Sequence, residues 1–494
     1  MSDPARKAVI IGAGPVGCLS AIALSNMGWE VEIYEARPDM RLPSSKGAAQ
    51  QRSINLAISP RGILALHAIQ PDAADRCLRA AVPMRGRMIH DTTGKLSSQS
   101  YDRSGQSIKS IDRAVLNEDL LDVASKTSNV KLFFRHKVIA IDFDGRTMQL
   151  EDMESKSNLS VPFHFCVGAD GSYSIVRRQL MRVTRMDYEQ AYIPHEYLEL
   201  KMPAGPPQAP GGEPTFLLDP NHLHIWPRHS FMLIALPNQD KTFTCTLFAP
   251  TAEFDKLTSS DGIIEWFKTH FPDALTLIGQ DALLHDFKNN PRSSLISIKA
   301  KPYHYKDRVV ILGDAAHSMV PFYGQGLNCG LEDVRVLYCL LQSNNVDPLF
   351  TPVEGAVDES LAKALDEYTE TRHEDLITIS DLAMDNYTEM RHSVTTPAYL
   401  FRKNLDNLLS SLFSPPTSPY ANDKSGVPFP TTWPSGWLPL YTMVTFRPDI
   451  SYATVKRKAR RQGEILSYAG WATAIATLGA GAAVAYTFLG RLRR

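Results

Sequence analysis

A glycine-rich turn near the N-terminus constrains the fold more than any other feature of this chain. Residues 12–17 read G-A-G-P-V-G, between an apolar run at Ala8–Ile11 and a helical stretch at Pro15–Met27. In such a turn the first glycine bends the chain, the second lets a phosphate approach the backbone, and the third lets helix pack on strand. Glu35 ends the next predicted strand, Glu30–Tyr34, where a carboxylate can bind ribose hydroxyls. The pattern predicts a parallel α/β sheet that binds a dinucleotide.

The composition describes an ordinary globular chain that is long enough for several packed layers. Of its 494 residues 44% are hydrophobic and 21% charged, and the net charge of -1 gives no reason to expect a nucleic-acid partner. The six cysteines form no C-x-x-C pair and lie near no histidine cluster, so we expect no metal site. Scattered cysteines in a long chain suit a reducing compartment.

The pattern of strands changes along the chain. Residues 87–101 predict a hairpin that turns at Thr92-Thr93-Gly94, and alternating strands between 185 and 290 predict an antiparallel sheet. A buried strand returns at Arg308–Leu312 and helical stretches follow to about residue 412. The Pro/Ser-rich segment 414–436 is interpreted as a loop or an insertion.

Two more motifs narrow the dinucleotide. Gly313-Asp314 ends the strand at Arg308–Leu312 and is followed by Gly324-Gln325-Gly326, while 168–172 reads G-A-D-G-S. With the first turn, they resemble the motifs of the flavin-dependent aromatic hydroxylases. The resemblance implies FAD, with Asp314 on a ribityl hydroxyl and the helix after Gly326 directed at the pyrimidine side of the flavin. For His317, beside this motif, we favour a structural hydrogen bond.

Four further blocks resemble the kynurenine 3-monooxygenase family: S-I-N-L-A-I-S at 53–59, P-M-R-G-R-M-I-H at 83–90, N-Y-T-E-M-R at 386–391 and P-L-Y-T-M-V-T-F at 439–446. The resemblance implies hydroxylation of L-kynurenine to 3-hydroxy-L-kynurenine with NADPH and O₂, through a flavin C4a-hydroperoxide. The chain has no second G-x-G-x-x-G, so NADPH is expected to bind transiently at the surface.

The same resemblance implies the substrate contacts. A planar guanidinium binds a carboxylate with two parallel hydrogen bonds, and the family's clamp arginine corresponds to Arg87, whereas Arg85 is expected to face solvent. No residue is assigned as a catalytic acid or base, because the substrate's own amino group activates its ring. The expected substrate-binding residues are Arg87, Tyr101, Asn386, Tyr441, Pro321, Phe322 and Gln325.

The expected FAD contacts, from the motifs and the resemblance together, are Gly12, Gly14, Val16, Gly17, Glu35, Arg37, Ala57, Arg113, Asp170, Asp314, Gly326, Leu327 and Asn328. The predicted architecture is α/β (α+β): a Rossmann-like FAD-binding domain, an antiparallel-sheet substrate domain, C-terminal helices and a C-terminal membrane helix. Its predicted segments are 1–184 and 291–345 for the FAD-binding domain, 185–290 for the substrate domain, 346–464 for a helical cap and 465–490 for the anchor.

The C-terminus differs from the rest of the chain. From Ile465 to Gly490 no residue is charged, and basic residues flank the stretch on both sides. About 20 apolar residues span a bilayer as a helix, so we expect a membrane anchor, with a buried Ala/Gly-rich helix as the alternative. Together with the resemblance, this predicts location on the mitochondrial outer membrane with the catalytic part facing the cytosol.

Two alternative functions remain at this stage. One is another FAD-dependent hydroxylase or reductase of the same fold that acts on a different substrate. The other is a membrane-tethered flavoprotein scaffold without enzymatic activity. Oxidation of NADPH that depends on the substrate separates an enzyme from a scaffold.

Overall fold

The predicted parallel sheet is present, with one short antiparallel strand at its edge, and the strand Lys7–Ile11 lies in its interior. In the computed structural model, which describes residues 6–45, 55–350, 355–413 and 433–468, its strands in spatial order are β18 (His304–Tyr305), β19 (Val309–Ile311), β12 (Phe165–Gly168), β1 (Lys7–Ile11), β2 (Glu30–Glu35) and β8 (Val130–Phe134). β1 pairs in parallel with β2 and β12. Ala8, Val9 and Ile10 are fully buried, which explains why this strand is continuously apolar rather than alternating.

A second, larger sheet lies beside the first. Its strands in spatial order are β17 (Ser293–Lys301), β13 (Asp187–Met202), β16 (Phe243–Pro250), β15 (Phe231–Pro237), β14 (His222–Arg228), β5 (Gly86–His90) and β6 (Leu96–Ser100). The hairpin predicted at 87–101 is β5 and β6, with Gly94 at φ +82° in its turn.

This sheet extends beyond the predicted segment 185–290 at both edges. The β5–β6 hairpin joins it through a parallel pairing of β5 with β14, and β17 pairs with β13 at the other edge. The sheet is therefore antiparallel except at β5–β14. The predicted segment followed chain order, whereas pairing between β5 and β14 depends on contacts across more than 130 residues, which local patterns do not encode.

Two small sheets and the helices complete the described fold. The small sheets are β3 (Asn55–Ile58), β7 (Ile108–Asp112) and β4 (Val82–Met84), and β9 (His136–Asp142), β10 (Thr147–Asp152) and β11 (Asn158–Pro162). The helices are α1 (Pro15–Asn26), α2 (Pro60–Ile69), α3 (Pro71–Ala80), α4 (Arg113–Lys126), α5 (Ile175–Val183), α6 (Thr251–Phe254), α7 (Ser260–His270), α8 (Pro272–Ile278), α9 (Gln280–Asn289), α10 (Asp314–His317), α11 (Gly326–Ser343), α12 (Glu359–Arg391), α13 (Pro397–Phe413) and α14 (Leu440–Phe446), and a last helix covers 452–468.

The C-terminal part is joined to the FAD-binding part by a buried polar network. Arg61 of α2 pairs with Glu332 of α11 at 2.9 Å and donates to the carbonyl oxygens of Val444 and Ile450. Arg372 of α12 pairs with Glu332 at 3.0 Å. Because both guanidinium groups are fully buried, losing one partner would leave an uncompensated charge, and the network fixes α14 against α2 and α11.

The predicted anchor lies mostly outside the described residues. The last described helix covers 452–468, so only the first four residues of 465–490 are included. Within the parts of the chain that the structure describes, no helix is both long and apolar enough to cross a membrane. Of the segment 414–436, the structure describes only 433–436.

Candidate active site

The glycine-rich turn has the geometry that a phosphate-binding loop needs. Gly12 has φ +101°, and a Cβ added there would lie 2.5 Å from the carbonyl oxygen of Ala169. A Cβ at Gly17 would lie 2.0 Å from the carbonyl oxygen of Gly12, so helix and strand meet without room for a side chain. A Cβ at Gly14 would have no described atom within 4 Å. That open space lies at the N-terminus of α1, where the helix dipole favours an anion.

Glu35 stands beside this turn at the end of β2. Its carboxylate accepts from the Ala13 N–H at 3.0 Å and from the Arg37 Nε at 3.0 Å. Burial alone would raise the pKa of Glu35, but the hydrogen bonds and charge of Arg37, with the Ala13 N–H, outweigh it, so the pKa lies below its ordinary value. Glu35 is therefore an ionised acceptor, as binding of ribose hydroxyls requires.

A cavity of about 470 Å³ opens at these residues. Gly14, Glu35, Arg37 and Arg113 line it, and each was predicted from the sequence to bind the cofactor. Its walls combine an open glycine backbone, a carboxylate and three guanidinium groups, the third from Arg135, which was not selected from the sequence. These groups match the phosphates and ribose of a dinucleotide. The residues present therefore fit the adenosine and pyrophosphate part of FAD.

The other expected cofactor residues hold backbone segments in place. Asn328, fully buried in α11, accepts from the Ser59 N–H at 2.8 Å and donates to the Ala57 carbonyl oxygen at 2.8 Å, which joins α11 to β3. Gly326 and Leu327 begin the same helix and are half-buried. Val16 packs close to Gly313 and Gly330. These contacts position the two motif loops relative to each other.

Two acidic motif residues differ in their surroundings. Asp314 is exposed at the start of α10. Asp170 accepts from the Ser174 hydroxyl and from the Ile175 N–H at 2.7 Å, so its carboxylate binds its own loop and the start of α5. Burial raises the pKa of Asp170 above its ordinary value, although these donors oppose the rise. Neither residue lines the 470 Å³ cavity.

A second cavity, of about 90 Å³, lies between the large sheet and the C-terminal helices. Its walls are mostly apolar and include Ala57, Tyr101, Met232, Ile234, Phe248, Pro321, Phe322, Tyr323 and Tyr441. Along β15, Met232 and Ile234 face this cavity, whereas Phe231 and Leu233 face a separate core under α7 and α8. Strand alternation thus gives β15 a cavity face and a structural face.

Arg87 is the cationic residue of this cavity and is 5% exposed. Its Nη1 lies 2.9 Å from Oε1 of Glu389, near the end of α12. Burial lowers the pKa of an arginine, but the Glu389 carboxylate outweighs it and the pKa of Arg87 lies above its ordinary value. The neighbouring Arg85 lies between β4 and β5 and is exposed, as expected from the sequence.

Two tyrosines stack beside this guanidinium. The rings of Tyr101 and Tyr441 are 4.7 Å apart and nearly parallel, and the guanidinium carbon of Arg87 lies 5.1 Å from the Tyr441 ring. The Tyr101 hydroxyl is buried and has no hydrogen-bond partner among the described residues. Burial raises the pKa of both phenols, so they remain neutral donors. A buried cation and an unpaired donor on the wall of an apolar cavity suit a carboxylate.

Asn386 and Gln325 lie next to the second cavity rather than on its wall. Asn386 donates to the Phe322 carbonyl oxygen at 2.6 Å, and Gln325 accepts from the Tyr452 hydroxyl at 3.1 Å. Both are buried. In this conformation their side chains hold the 321–325 turn, with Phe322 stacked on Tyr387 at 3.9 Å.

His317 has the structural hydrogen bond favoured from the sequence. Its Nε2 bonds to Asp333, which also accepts from the Gly313 N–H at 3.1 Å. His317, Cys329 and Asp333 offer atoms within 4.8 Å of one another, a spacing that could suit a metal ion. The guanidinium of Arg372, however, donates to Asp333 at 2.7 Å and contacts Cys329 at 3.5 Å, so a cation already neutralises this cluster.

Three residues around Arg87 were not selected from the sequence. Glu389 pairs with Arg87, the Tyr399 hydroxyl donates to Glu389 at 3.0 Å, and Lys403 donates to Gln99 at 3.2 Å. Glu389 belongs to the same sequence block as Asn386, three residues further along a helix. That spacing places both on one face, so helical periodicity could have identified Glu389. Tyr399 and Lys403 lie in α13, outside any recognised block.

Comparison with known proteins identifies the class. The chain matches the FAD binding domain family over residues 6–374. Among solved structures, 2-methyl-3-hydroxypyridine-5-carboxylic acid oxygenase covers 82% of this chain and 97% of its own, with a TM-score of 0.59 and 20% identity. A variant of HpxO from Klebsiella pneumoniae, complexed with FAD, has a TM-score of 0.59 and 20% identity, and covers 81% of this chain and 94% of its own. The predicted α/β FAD-binding fold is thereby confirmed, and the chain belongs to the FAD binding domain family.

Curated relatives give the particular family. Kynurenine 3-monooxygenase of Cryptococcus neoformans is 45% identical over 98% of this chain and 97% of its own length. The enzymes of Yarrowia lipolytica and Saccharomyces cerevisiae are 42% and 41% identical, with coverage of 97% and 94% of both chains. The chain belongs to the kynurenine 3-monooxygenase family.

Proposed function

We propose that this protein hydroxylates L-kynurenine at its 3-position, with NADPH and O₂ as co-substrates. The observation that carries the proposal is the second cavity, an apolar chamber with the buried Arg87 on its wall. L-Kynurenine has a carboxylate and an ammonium at one end and an aniline ring at the other. Its carboxylate would bind Arg87 and the unpaired Tyr101 hydroxyl, and its ring would lie among Phe248, Phe322 and Met232.

Glu389 gives this site a second polar function. In the structure its carboxylate neutralises Arg87, and the Tyr399 hydroxyl holds it in place. A zwitterionic amino acid would exchange this single ion pair for two, carboxylate to Arg87 and ammonium to Glu389. Because Arg87 and Glu389 are in direct contact at 2.9 Å, a ligand that pairs with both requires Glu389 to move.

The cavity needs no protein base for the reaction. Bound FAD supplies oxidation of NADPH and activation of O₂ for transfer of one oxygen atom to the ring. The aniline nitrogen already enriches the ring carbon beside it. No carboxylate or imidazole is among the described residues that line the cavity, and burial raises the pKa of Tyr323. The chain's task is to orient the ring and exclude water, which the apolar wall provides.

The FAD contacts are part of this proposal. Gly14, Glu35, Arg37 and Arg113 would hold the adenosine and pyrophosphate end in the 470 Å³ cavity. Gly12, Val16 and Gly17 shape that turn. The flavin end would be formed or supported by six further residues: Ala57, Asp170, Asp314, Gly326, Leu327 and Asn328. Of these, Ala57 also lines the second cavity.

Membrane attachment is proposed from the sequence of the C-terminus. The uncharged segment 465–490, with basic flanks, would anchor the protein to the mitochondrial outer membrane with its catalytic part in the cytosol. The described helix 452–468 leads into it. Protease treatment of intact mitochondria tests this orientation, because a cytosolic catalytic part would be digested without rupture of the membrane.

Oxidation of NADPH by the purified protein with and without L-kynurenine tests the activity. We expect stimulation by L-kynurenine and a product that is heavier by one oxygen atom in mass spectrometry. 2-Aminoacetophenone, which keeps the aniline ring and the aryl ketone but lacks the α-amino acid end, is the matched control. Equal coupled hydroxylation of 2-aminoacetophenone and L-kynurenine would contradict the role of Arg87.

A further inference from the structure

Helix α13 turns its polar face towards the protein. The Tyr399 hydroxyl donates to Glu389 at 3.0 Å, Lys403 donates to Gln99 at 3.2 Å, and Asp406 accepts from the Trp437 Nε1 at 2.9 Å. Positions 399, 403 and 406 follow one another by four and three residues, so they lie on one face of the helix. The inward face of α13 is therefore held by polar contacts.

The opposite face of α13 is apolar and exposed. Phe401 is 70% exposed, Leu408 55% and Leu412 64%, and with the half-buried Leu405 they recur at intervals of four, three and four residues. We call these four residues the outer stripe. A surface helix normally buries its apolar stripe. A contiguous exposed stripe on a helix with a polar inner face marks a surface that binds something apolar.

The outer stripe is structurally connected to the end of the chain. Trp437, which binds Asp406, precedes Leu438, and the Leu438 carbonyl oxygen accepts from Gln462 at 3.1 Å. Gln462 lies in the helix 452–468, one turn before Ile465, where the uncharged segment begins. Two hydrogen bonds and one peptide bond therefore connect α13 to the helix that enters the segment proposed above as the anchor.

The residues around these elements suit a lipid surface. Arg103 donates to the Asn407 carbonyl oxygen at 3.5 Å, and Arg402 and Arg461 are exposed. Trp433 is 48% exposed, beside the Lys458 ammonium. Basic residues and an aromatic ring around an apolar stripe are typical of helices that lie in the membrane interface.

We propose that α13 lies on the bilayer surface with its outer stripe in the boundary between headgroups and acyl chains. The proposal rests on membrane attachment by the C-terminus and adds a second, peripheral contact. We assign lipid as the partner of the outer stripe because the segment 414–432, which follows α13, is rich in proline and polar residues and contains few apolar side chains to cover the stripe. Attachment at two places would fix the orientation of the substrate cavity relative to the membrane.

The test uses the full chain with an environment-sensitive dye at position 408. The six cysteines are buried, so Leu408→Cys provides the accessible thiol. Leu159→Cys, at an exposed leucine in β11 that is 39% exposed, is the matched control. Detergent-purified protein is reconstituted with vesicles of phosphatidylcholine containing about one fifth phosphatidylserine. We expect a blue shift at 408 and quenching by brominated lipid, with neither at 159.

The outcomes separate this proposal from the others. If the protein sediments with the vesicles but the dye at 408 stays in water, the surface contact is wrong and the anchor stands. A blue shift that appears without lipid overturns the proposal. If that shift grows with protein concentration, the outer stripe binds a second copy of the chain. If it does not, another segment of the chain covers the stripe. Leu408→Glu with Leu412→Glu should eliminate brominated-lipid quenching of a dye at 405. Kynurenine-stimulated oxidation of NADPH in detergent should be unchanged, so failure of the proposed activity is detected separately.

Discussion

Arg87 combines deep burial with a replaceable partner. Its guanidinium is 5% exposed, yet Glu389, which neutralises it, has about a third of its side chain in contact with solvent. Glu389 therefore offsets the free energy of desolvating the Arg87 cation before substrate binds. A carboxylate ligand can then replace Glu389 on one side of the guanidinium. Such a pair favours a zwitterion over a simple acid, because a simple acid would leave Glu389 without a cation.

The first residue-scale prediction concerns Arg87→Ala, which should weaken L-kynurenine binding and leave the FAD content intact. A charge-assisted hydrogen bond contributes about 1.5–3 kcal/mol, so KM should rise about 10- to 100-fold or more. Arg87→Lys should recover part of the loss, since an ammonium cannot make the two-pronged contact. Steady-state NADPH oxidation, with flavin absorbance measured on each sample, checks these values.

Arg85→Ala is the matched control, because Arg85 is exposed two residues away on the same chain segment. Its KM should stay within about twofold of the unsubstituted protein. A normal KM for Arg87→Ala together with a raised KM for Arg85→Ala would show that the wrong arginine was chosen. A normal KM for both would exclude a carboxylate clamp on β5.

Lys403 supports a pH-dependent prediction. Burial, with a smaller contribution from the Arg87 charge, lowers the pKa of Lys403 to about 8. Below pH 8 the ammonium adds positive charge near the proposed carboxylate subsite, and above pH 8 that charge is lost. For the unsubstituted protein kcat/KM should therefore fall as pH rises through about 8, and Lys403→Gln should remove this part of the fall.

Profiles of kcat/KM measured between about pH 6.5 and 9 for both proteins test the role of Lys403. Titration of the substrate's own amino group affects both profiles equally, so their ratio isolates Lys403. The two profiles should converge at high pH and differ by about threefold at low pH, a modest effect because Lys403 is charged but more distant than Arg87. Parallel profiles at all pH values would show that Lys403 does not act on the substrate.

At the scale of elements, the glycine turn between β1 and α1 supports a paired prediction. Gly17→Ala places a Cβ 2.0 Å from the Gly12 carbonyl oxygen, so the strand and the helix cannot keep their packing. We expect little folded protein. Gly14→Ala meets no described atom within 4 Å and should fold normally. Its Cβ enters the space where the pyrophosphate is proposed to approach, and FAD affinity should fall by about 10-fold or more.

Thermal unfolding of the apoproteins and fluorescence titration with FAD distinguish these two effects. The pair is informative because both variants add one methyl group within the same turn. Full FAD affinity in Gly14→Ala would mean that the phosphates do not approach this glycine. Normal folding of Gly17→Ala would mean that the close contact between α1 and the turn is not required.

The elements that local sequence predicts are those whose pattern is complete within a short stretch. The unit from β1 to β2 carries its own apolar runs, glycines and terminal glutamate, and the structure has it where expected. The parallel pairing of β5 with β14 was not predicted, because it depends on where a distant strand lies. The same limit applies to the site. Arg87 was found from its own block, but its pairing with Glu389 joins residues 302 positions apart.

At the scale of the whole molecule, the C-terminal region serves both the catalytic part and the proposed anchor. Arg61 holds the carbonyl oxygens of Val444 and Ile450, and the Ala453 N–H donates to Asp375 at 2.8 Å. Gln462 binds Leu438. These contacts all lie before residue 465, so the packing that closes the substrate cavity does not depend on the segment proposed to enter the membrane.

Removal of residues from 465 onward should therefore release the protein from membranes and leave FAD bound. Cytosolic and membrane fractions separated by centrifugation, with flavin absorbance measured in each, provide the test.

The full chain should stay with membranes in about 1 M salt, where surface charge is screened within about 3 Å, because burial of apolar residues in lipid does not depend on charge. The shortened chain should appear in the supernatant at that salt concentration, with kynurenine-stimulated NADPH oxidation retained, because the four side chains of the outer stripe bind lipid only marginally once the attraction of the basic residues for anionic lipid is screened. At low salt it should keep a weak affinity for anionic vesicles if α13 binds lipid as proposed, and Leu408→Glu should remove that affinity. Sedimentation of the shortened chain with membranes at high salt would show that 465–490 is not the principal anchor. Loss of FAD on shortening would show that the tail stabilises the catalytic part, contrary to the contacts of Arg61 and Gln462.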